Sequence, residues 1–197
     1  MKKITTLFVA IVAVALVAFK PVAPVTFKVD TEKSKIEWTG KKVTGQHMGT
    51  IKIASGEIAV NGKTPSSGKF TIDMNSMENT DLDADSKPKL MGHLKSDDFF
   101  GVAKYPTATF VATKITPAGA NKVNVTGNLT LKGKTAPVTF PATYTLAGKT
   151  LTVVAPEVKV DRTVYDIRYG SKSFFESIGD KAIDNEFLLN ITLVATK

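Results

Sequence analysis

Alternation of apolar and polar residues, repeated along almost the whole chain after residue 29, constrains the fold most. Ile36 and Trp38, for example, fall on one face of a predicted strand, because successive strand side chains point to opposite faces. The same period predicts strands at residues 35–40, 50–53, 57–60, 69–74, 107–115, 123–131, 138–146, 151–160 and 187–195. About eight to ten closely spaced strands with turn residues between them are typical of an antiparallel barrel or sandwich.

One segment interrupts the strands. Residues 87–98 carry apolar side chains at helical spacing, and Pro88 stands where the first helical turn tolerates a proline. Phe99 and Phe100 follow directly. A helical segment set between strands of an all-β chain needs apolar surface to cover. The pattern therefore predicts a barrel or sandwich with an opening and favours a ligand-binding protein.

Local irregularities are also predicted within the strands. Gly127 indicates a bulge or kink, and prolines inside strand-like runs indicate edges or bulges at residues 137, 141 and 156. In the strand at 107–115, strict alternation places Ile115 on the face opposite Phe110.

The first residues have the composition of a secretory signal. Lys2 and Lys3 precede an apolar run, Ile4–Phe19, that is shorter than the roughly 20 residues of a membrane span. We predict a signal peptide at 1–20, a linker at 21–28 and one domain at 29–197. The protein is then periplasmic or secreted, with an uncleaved membrane anchor as the less favoured alternative.

Composition excludes several classes of site. The chain has no cysteine, so it has no disulfide, no thiolate nucleophile and no cysteine–zinc site. Its net charge is +8, but Arg162 and Arg168 are its only arginines. Because arginine is the residue favoured for phosphate and base recognition, we predict no nucleic-acid partner and only transient contact with an anionic membrane surface.

The remaining titratable clusters do not have the spacing of a metal site. His47 and His93 are the only histidines, and neither lies in a metal-binding motif. The acidic run at residues 81–85 lacks the glycine and glutamate that a calcium loop requires. We therefore predict no metal site and no catalytic residue.

Five segments, in order, carry a resemblance to a known family. They are residues 77–81 (MENTD), 93–100 (HLKSDDFF), 105–110 (YPTATF), 127–133 (GNLTLKG) and 160–162 (VDR). Over about residues 29–196 the chain resembles the YceI-like family. The resemblance implies a lipocalin-like antiparallel barrel of about eight strands with a helical crossover. It further implies that the lumen binds a long isoprenoid chain, such as an isoprenoid quinone or a polyprenyl lipid, with no other cofactor.

The candidate lipid-binding residues are the large apolar side chains of the strand faces and the helical segment. They are Ile36, Trp38, Phe70, Ile72, Met74, Leu90, Leu94, Phe99, Phe100, Phe110, Leu129, Leu131, Phe140 and Phe187. The four between Leu90 and Phe100 line or cap the mouth, and a movable lid and a permanent plug share this sequence pattern. We expect Arg162 to pair with a carboxylate such as Asp81 or Asp98, with contact to a lipid head group as the alternative.

These observations favour an exported, non-enzymatic binder or carrier of an isoprenoid lipid. One alternative is an enzyme acting on a lipid or small apolar substrate at the mouth, built from His93, Asp97, Asp98 or Arg162. Another is an envelope stress or interaction protein that uses a filled barrel as a scaffold. The sequence leaves open the identity of the lipid, the loading partner and the oligomeric state, a homodimer included.

Overall fold

Nine strands form one antiparallel sheet that closes on itself in the computed structural model, which describes residues 23–176 and 179–197. The strands are β1 (Val25–Val29), β2 (Lys35–Lys42), β3 (Gly45–Asn61), β4 (Thr64–Asn79), β5 (Thr107–Pro117), β6 (Lys122–Leu131), β7 (Lys134–Ala147), β8 (Thr150–Asp161) and β9 (Ile183–Thr196). Helix α1 (Lys87–Lys95) connects β4 to β5, and 3-10 turns lie at Arg162–Tyr165 and Gly179–Lys181.

The strand order shows how the barrel closes. Neighbouring strands run β3-β2-β9-β8-β7-β6-β5-β4, and β4 pairs back to β3. Strand β1 pairs with the last part of β3, where Phe27 faces Ile58, and with the end of β9, where Val29 faces Ala195. Strands β1 and β2 therefore occupy one position in the wall, one after the other. The predicted fold, an eight-stranded lipocalin-like barrel with a helical crossover, is confirmed.

The two ends of the barrel differ. The β2–β3 turn, α1 and the 162–182 connection all lie at one end, which we call the helix end. At the other end, the closed end, Phe27, Val60 and Leu151 are at most 2% exposed. Their pairing partners place them on the inward face of the sheet, so their side chains fill the barrel there. Internal space is therefore expected toward the helix end.

Several local predictions need correction. Residues 25–28 are not linker, because they belong to β1, where Phe27 is buried by its pairing with β3. Strict alternation fails in β5, since a register shift between Ala112 and Lys114 turns Ile115 to the same inward face as Phe110. The bulge expected near Gly127 lies in the partner strand β5.

The prolines within the strands lie at a register shift or at an unpaired strand edge, as the sequence predicts. The register of β8 against β9 shifts around Pro156, between Ala155 and Val158. Pro137 and Pro141 lie in the part of β7 that precedes its pairing with β8, which begins at Thr143. Their missing N–H groups therefore cost no ladder hydrogen bond on that side.

Helix α1 ends at Lys95, three residues earlier than predicted, where the Ser96 amide donates to the His93 carbonyl. Strand β4 continues past the predicted end at residue 74 and ends at the fully buried Asn79. No helix in residues 23–176 and 179–197 is long and apolar enough to cross a membrane. The predicted signal peptide at 1–20 lies outside the residues that the structure describes.

Candidate functional site

The barrel encloses a cavity of about 690 Å³ whose wall is mostly apolar. It extends from Ile58 and Pro65, near the closed end, to the helix end. There the exposed side chains of Lys41, Lys42 and Lys181 line its rim, so the cavity reaches the protein surface at that end. Ligand cavities of 300–1,000 Å³ with apolar walls and few polar groups are typical of small-molecule binding proteins.

All the predicted lipid-binding residues line this cavity. The strands contribute Ile36, Trp38, Phe70, Ile72, Met74, Phe110, Leu129, Leu131, Phe140 and Phe187, and the helical crossover contributes Leu90, Leu94, Phe99 and Phe100. The structure thus brings together residues that lie up to 151 positions apart in sequence. Contact between these side chains and a lipid stays a prediction.

Sequence reasoning missed a second set of lining residues because it selected only part of each apolar strand face. The missed residues are mostly β-branched or small, and they alternate with outward residues on the same strands. They include Ile51, Ile53, Ile58, Val123, Val125, Val138, Val153, Ala155, Val158, Val160, Leu189, Ile191 and Leu193. The period-two pattern was the signal that could have found them, since each except Ile58 lies two positions from another lining residue.

Aromatic side chains pack against one another at the mouth. The His93 ring lies edge-on to Phe99 and Tyr169, with centroids 4.9 and 4.4 Å away. Phe100 packs edge-on against Phe187 at 6.2 Å. Such edge-to-face pairs are favourable beyond the apolar area they bury, so they fix the rim around the opening.

The mouth residues leave the interior open. Leu90 and Leu94 are half-buried on α1 and line the cavity together with Phe99 and Phe100, but they do not fill it. The scaffold alternative required a filled interior, which this cavity contradicts. A movable lid and a permanent plug stay the two alternatives for these four side chains.

The predicted ion pair of Arg162 is wrong. Arg162 is 3% exposed, and it donates from Nε to the Asp184 carbonyl, from Nη1 to the Ile167 carbonyl and from Nη2 to the Ile183 carbonyl, at 2.8–3.1 Å. No carboxylate oxygen of the described residues lies within 4.0 Å of its guanidinium. Asp81 instead pairs with His47, and Asp98 lies 3.9 Å from His93.

The Asp81 side chain, just after β4, is hydrogen-bonded to residues of β3 and of the end of β4. Its carboxylate accepts hydrogen bonds from the Met48 amide, the Asn79 side chain and the His47 ring, at 2.6–2.8 Å. Partial burial opposes ionisation, but these hydrogen bonds outweigh it, so the pKa of Asp81 lies below its ordinary value. In the described part of the chain no three His, Asp or Glu side chains are grouped as metal ligands.

Tyr165 carries an unusual buried hydroxyl. The residue is fully buried, and its hydroxyl has no hydrogen-bond partner among the residues described. Burial, with a smaller contribution from the charge of Asp161, raises the pKa of Tyr165 to about 12. This group lies in the 3-10 turn after β8, next to Arg162, but it does not line the cavity.

An eight-position antiparallel barrel with an apolar cavity that opens beside a helical crossover defines a lipocalin-like binding barrel. Comparison with known proteins places the chain within that class. The family model of the YceI-like domain matches residues 27–195. The chain therefore belongs to the YceI-like domain family.

Solved structures support the assignment. BcnA of Burkholderia cenocepacia is 30% identical, with a TM-score of 0.70 over 85% of this chain and 99% of that chain. A polyisoprenoid-binding domain from Saccharophagus degradans, implicated in plant cell wall breakdown, shares the fold with a TM-score of 0.65 at 18% identity, over 86% of this chain and 97% of that one.

Curated sequence relatives match a shorter segment. Protein YceI of Salmonella arizonae is 40% identical over 96 residues, which is 48% of this chain and 47% of the relative. A UPF0312 protein of Pseudomonas putida is 37% identical over 101 residues, 51% of this chain and 50% of the relative. The chain spans about half the length of these relatives.

Proposed function

We propose that the protein is a non-enzymatic carrier that holds one long isoprenoid chain, a quinone or a polyprenyl lipid, inside the barrel. The observation that carries the proposal is the apolar cavity of about 690 Å³, which reaches the protein surface at the helix end. A structurally similar domain from Saccharophagus degradans is described as polyisoprenoid-binding, which supports this ligand class.

The energetics favour a long chain over a short one. Each buried methylene contributes roughly 0.8 kcal/mol, whereas association costs on the order of 4–15 kcal/mol before any net affinity appears. A chain of a few carbons is therefore expected to bind with only marginal affinity. Several isoprene units, of five carbons each, exceed the cost if they follow the apolar wall from the rim toward Ile58.

Native mass spectrometry of the protein as isolated from its own host tests this function. We expect one added mass per chain, which organic extraction releases and which fragments as a prenyl lipid. As a matched control, the extracted protein reloaded with farnesol should regain one equivalent of added mass. Repeated preparations that carry no added mass and cannot be reloaded would contradict the proposal.

The absence of enzymatic activity is part of the same proposal. The polar groups at the mouth serve contacts within the protein: His93 packs on Phe99 and Tyr169, and Asp97 accepts a hydrogen bond from Lys104 at 2.6 Å. Arg162 is bound to three backbone carbonyls. A bound prenyl lipid should therefore be recovered chemically unchanged after prolonged incubation, which chromatography of the extract measures.

We propose export to the periplasm or the medium, directed by residues 1–20. Lys2, Lys3 and the apolar run that follows support this proposal. Cell fractionation with N-terminal sequencing of the recovered protein tests it. A product that begins near residue 20 and is found outside the cytoplasm is the expected result, and a full-length cytoplasmic product would contradict it.

We propose that the 162–182 connection makes transient contact with an anionic membrane. Tyr169, Phe174 and Phe175 are 45–50% exposed at the helix end, and Lys172 is exposed beside them. Exposed aromatic rings next to lysines suit the interface of an anionic bilayer. The double variant Phe174→Ser/Phe175→Ser should lose sedimentation with phosphatidylglycerol vesicles, while Val111→Ser, on the outer wall, should retain it. Equal sedimentation of both variants would contradict the contact.

A further inference from the structure

Arg162 is a buried cation in the part of the apolar cavity that lies at the helix end. It is 3% exposed, it lines the cavity, and its guanidinium carbon lies 5.8 Å from the centre of the Phe99 ring. A buried charge is costly unless it is paired and its hydrogen-bonding groups are satisfied. The surroundings of this guanidinium therefore indicate what it binds.

The protein satisfies this cation only in part. A guanidinium has five N–H donors, and three of them are used by the carbonyls of Ile167, Ile183 and Asp184. Within the described residues no acceptor bonds the other two N–H groups, and no carboxylate forms an ion pair with the guanidinium. Asp161 and Asp184 are near enough to favour its charge but lie beyond contact distance.

The cavity around Arg162 offers few other polar partners. Phe99 lies against its guanidinium, Val160 and Phe187 pair across β8 and β9 nearby, and the charged residues of the rim are mixed in sign. The rim carries Lys41, Lys42 and Lys181 together with Asp180, Asp184 and Glu186. Arg162 is thus the buried cation among the lining residues that can receive an oxygen acceptor from a ligand.

We propose that Arg162 anchors a compact anionic head group, a carboxylate or a phosphate, on a ligand whose chain occupies the apolar part of the cavity. The proposal rests on the proposed carrier function and deepens it by defining the ligand as an anionic amphiphile. The chain enters the barrel first and extends toward the closed end. The head group stays at the helix end, where the two remaining N–H groups of Arg162 donate to its oxygens.

A purely structural role accounts for only part of the arrangement. The three carbonyl contacts hold the start of the 162–182 connection against the start of β9, and any donor of suitable length would serve that purpose. Such a role predicts no preference between ligands that differ only at the head group. Head-group discrimination therefore separates the two roles.

The test compares matched ligand pairs on the unmodified protein through the fluorescence of Trp38, the single tryptophan, which lines the cavity. Farnesyl phosphate is compared with farnesol, and palmitate with hexadecanol. We expect the anionic member to bind about tenfold tighter or more. Its oxygens accept charge-assisted hydrogen bonds from the N–H groups of the buried guanidinium that have no partner within the protein. A preference in the phosphate pair alone, or in the carboxylate pair alone, identifies which head group is the natural one.

Equal affinity within both pairs would overturn the anchor and leave the carrier function intact. No binding of any of the four ligands would instead overturn the carrier function. The two failures are therefore distinguishable.

Variants of the two arginines provide the matched control. Arg162→Met should abolish the head-group preference, whereas Arg168→Gln, at an exposed arginine that pairs with Asp166, should retain it. Because Arg162→Met also loses three carbonyl contacts, its melting temperature is measured first. Retention of the preference in a folded Arg162→Met protein would overturn the proposal.

A second measurement does not require any change at Arg162. Arginine-selective ¹⁵N labelling gives signals from only two guanidinium groups, which Arg168→Gln assigns. Farnesyl phosphate should shift the Nη signals of Arg162, and farnesol should leave them near their unliganded positions. Unchanged Arg162 signals in the saturated farnesyl phosphate complex would contradict the anchor.

Discussion

The ring of Phe110 on β5 lies directly against the Cα atom of Gly127 on β6. A Cβ atom at residue 127 would collide with the ring and with the Val111 carbonyl oxygen, so only glycine allows this contact. The register shift in β5 lies opposite the same glycine, between Ala112 and Lys114. Gly127 therefore leaves the space that the Phe110 ring occupies, and the register shift beside it turns Ile115 toward the cavity.

Replacing Gly127 with alanine should destabilise the barrel by about 1–3 kcal/mol, because overpacking displaces the ring or the strand. Chemical denaturation measures the effect. Gly40→Ala is the matched control, since Gly40 also lies in a strand and has nothing within 4 Å of its Cβ position. Equal stability of the two variants would show that Phe110 moves away without cost.

Filling the cavity should block the ligand and keep the fold. Leu129 lines the cavity from β6, whereas its neighbour Asn128 is exposed on the outer wall. Leu129→Trp should weaken farnesol binding about tenfold or more, because the indole displaces several buried methylenes of the ligand. Asn128→Trp should bind as the unmodified protein does, and calorimetry compares them. Unchanged binding by a folded Leu129→Trp protein would place the ligand elsewhere.

The Asp81 carboxylate should make stability depend on pH in the acid range. Its pKa is lowered in the folded protein from an ordinary value of 3.8, so its contribution is fully present above that value and is lost as pH falls through the lowered pKa. Asp81→Asn should therefore be less stable than the unmodified protein at pH 7, and the difference should shrink toward pH 2. Asp85→Asn, whose side chain accepts no hydrogen bond from the described residues, serves as the control. A difference that stays constant from pH 7 to 2 would contradict this role.

The buried hydroxyl of Tyr165 should contribute nothing at neutral pH. Removing an unsatisfied buried polar atom is neutral or stabilising, so we expect Tyr165→Phe to unfold within about 1 kcal/mol of the unmodified protein or to be more stable. Because its folded pKa of about 12 exceeds the ordinary 10.0, the unmodified protein loses stability as pH rises from 10 to 12. Tyr165→Phe should lose less stability over that range, and Tyr105→Phe should behave as the unmodified protein. A large loss of stability in Tyr165→Phe at pH 7 would reveal a hydrogen-bond partner.

The barrel and its wall were predictable from sequence because strand periodicity is a local property. Ile36, Phe70 and Phe140 each stand in an alternating run that assigns them to an apolar face, and closure of the sheet turns these faces inward. Ile115 was assigned to the wrong face of its strand because a bulge adds a residue and reverses the alternation after it. The surroundings of Arg162 were unpredictable for a different reason: its partners are backbone carbonyls of residues 167, 183 and 184, and a sequence pattern carries no signal for a carbonyl acceptor.

Trp38 offers the most direct measurement of the central claim, that the cavity holds one apolar chain. It is the only tryptophan, it lines the cavity, and its indole N–H donates to the Thr50 carbonyl at 3.2 Å, which holds the ring in place. We predict that an isoprenoid chain brominated near its head group, which lies at the helix end as Trp38 does, quenches Trp38 fluorescence saturably with one equivalent per chain, and that unbrominated farnesol reverses the quenching by competition. Quenching that neither saturates nor is reversed, in protein freed of its own lipid, would contradict a ligand inside the barrel.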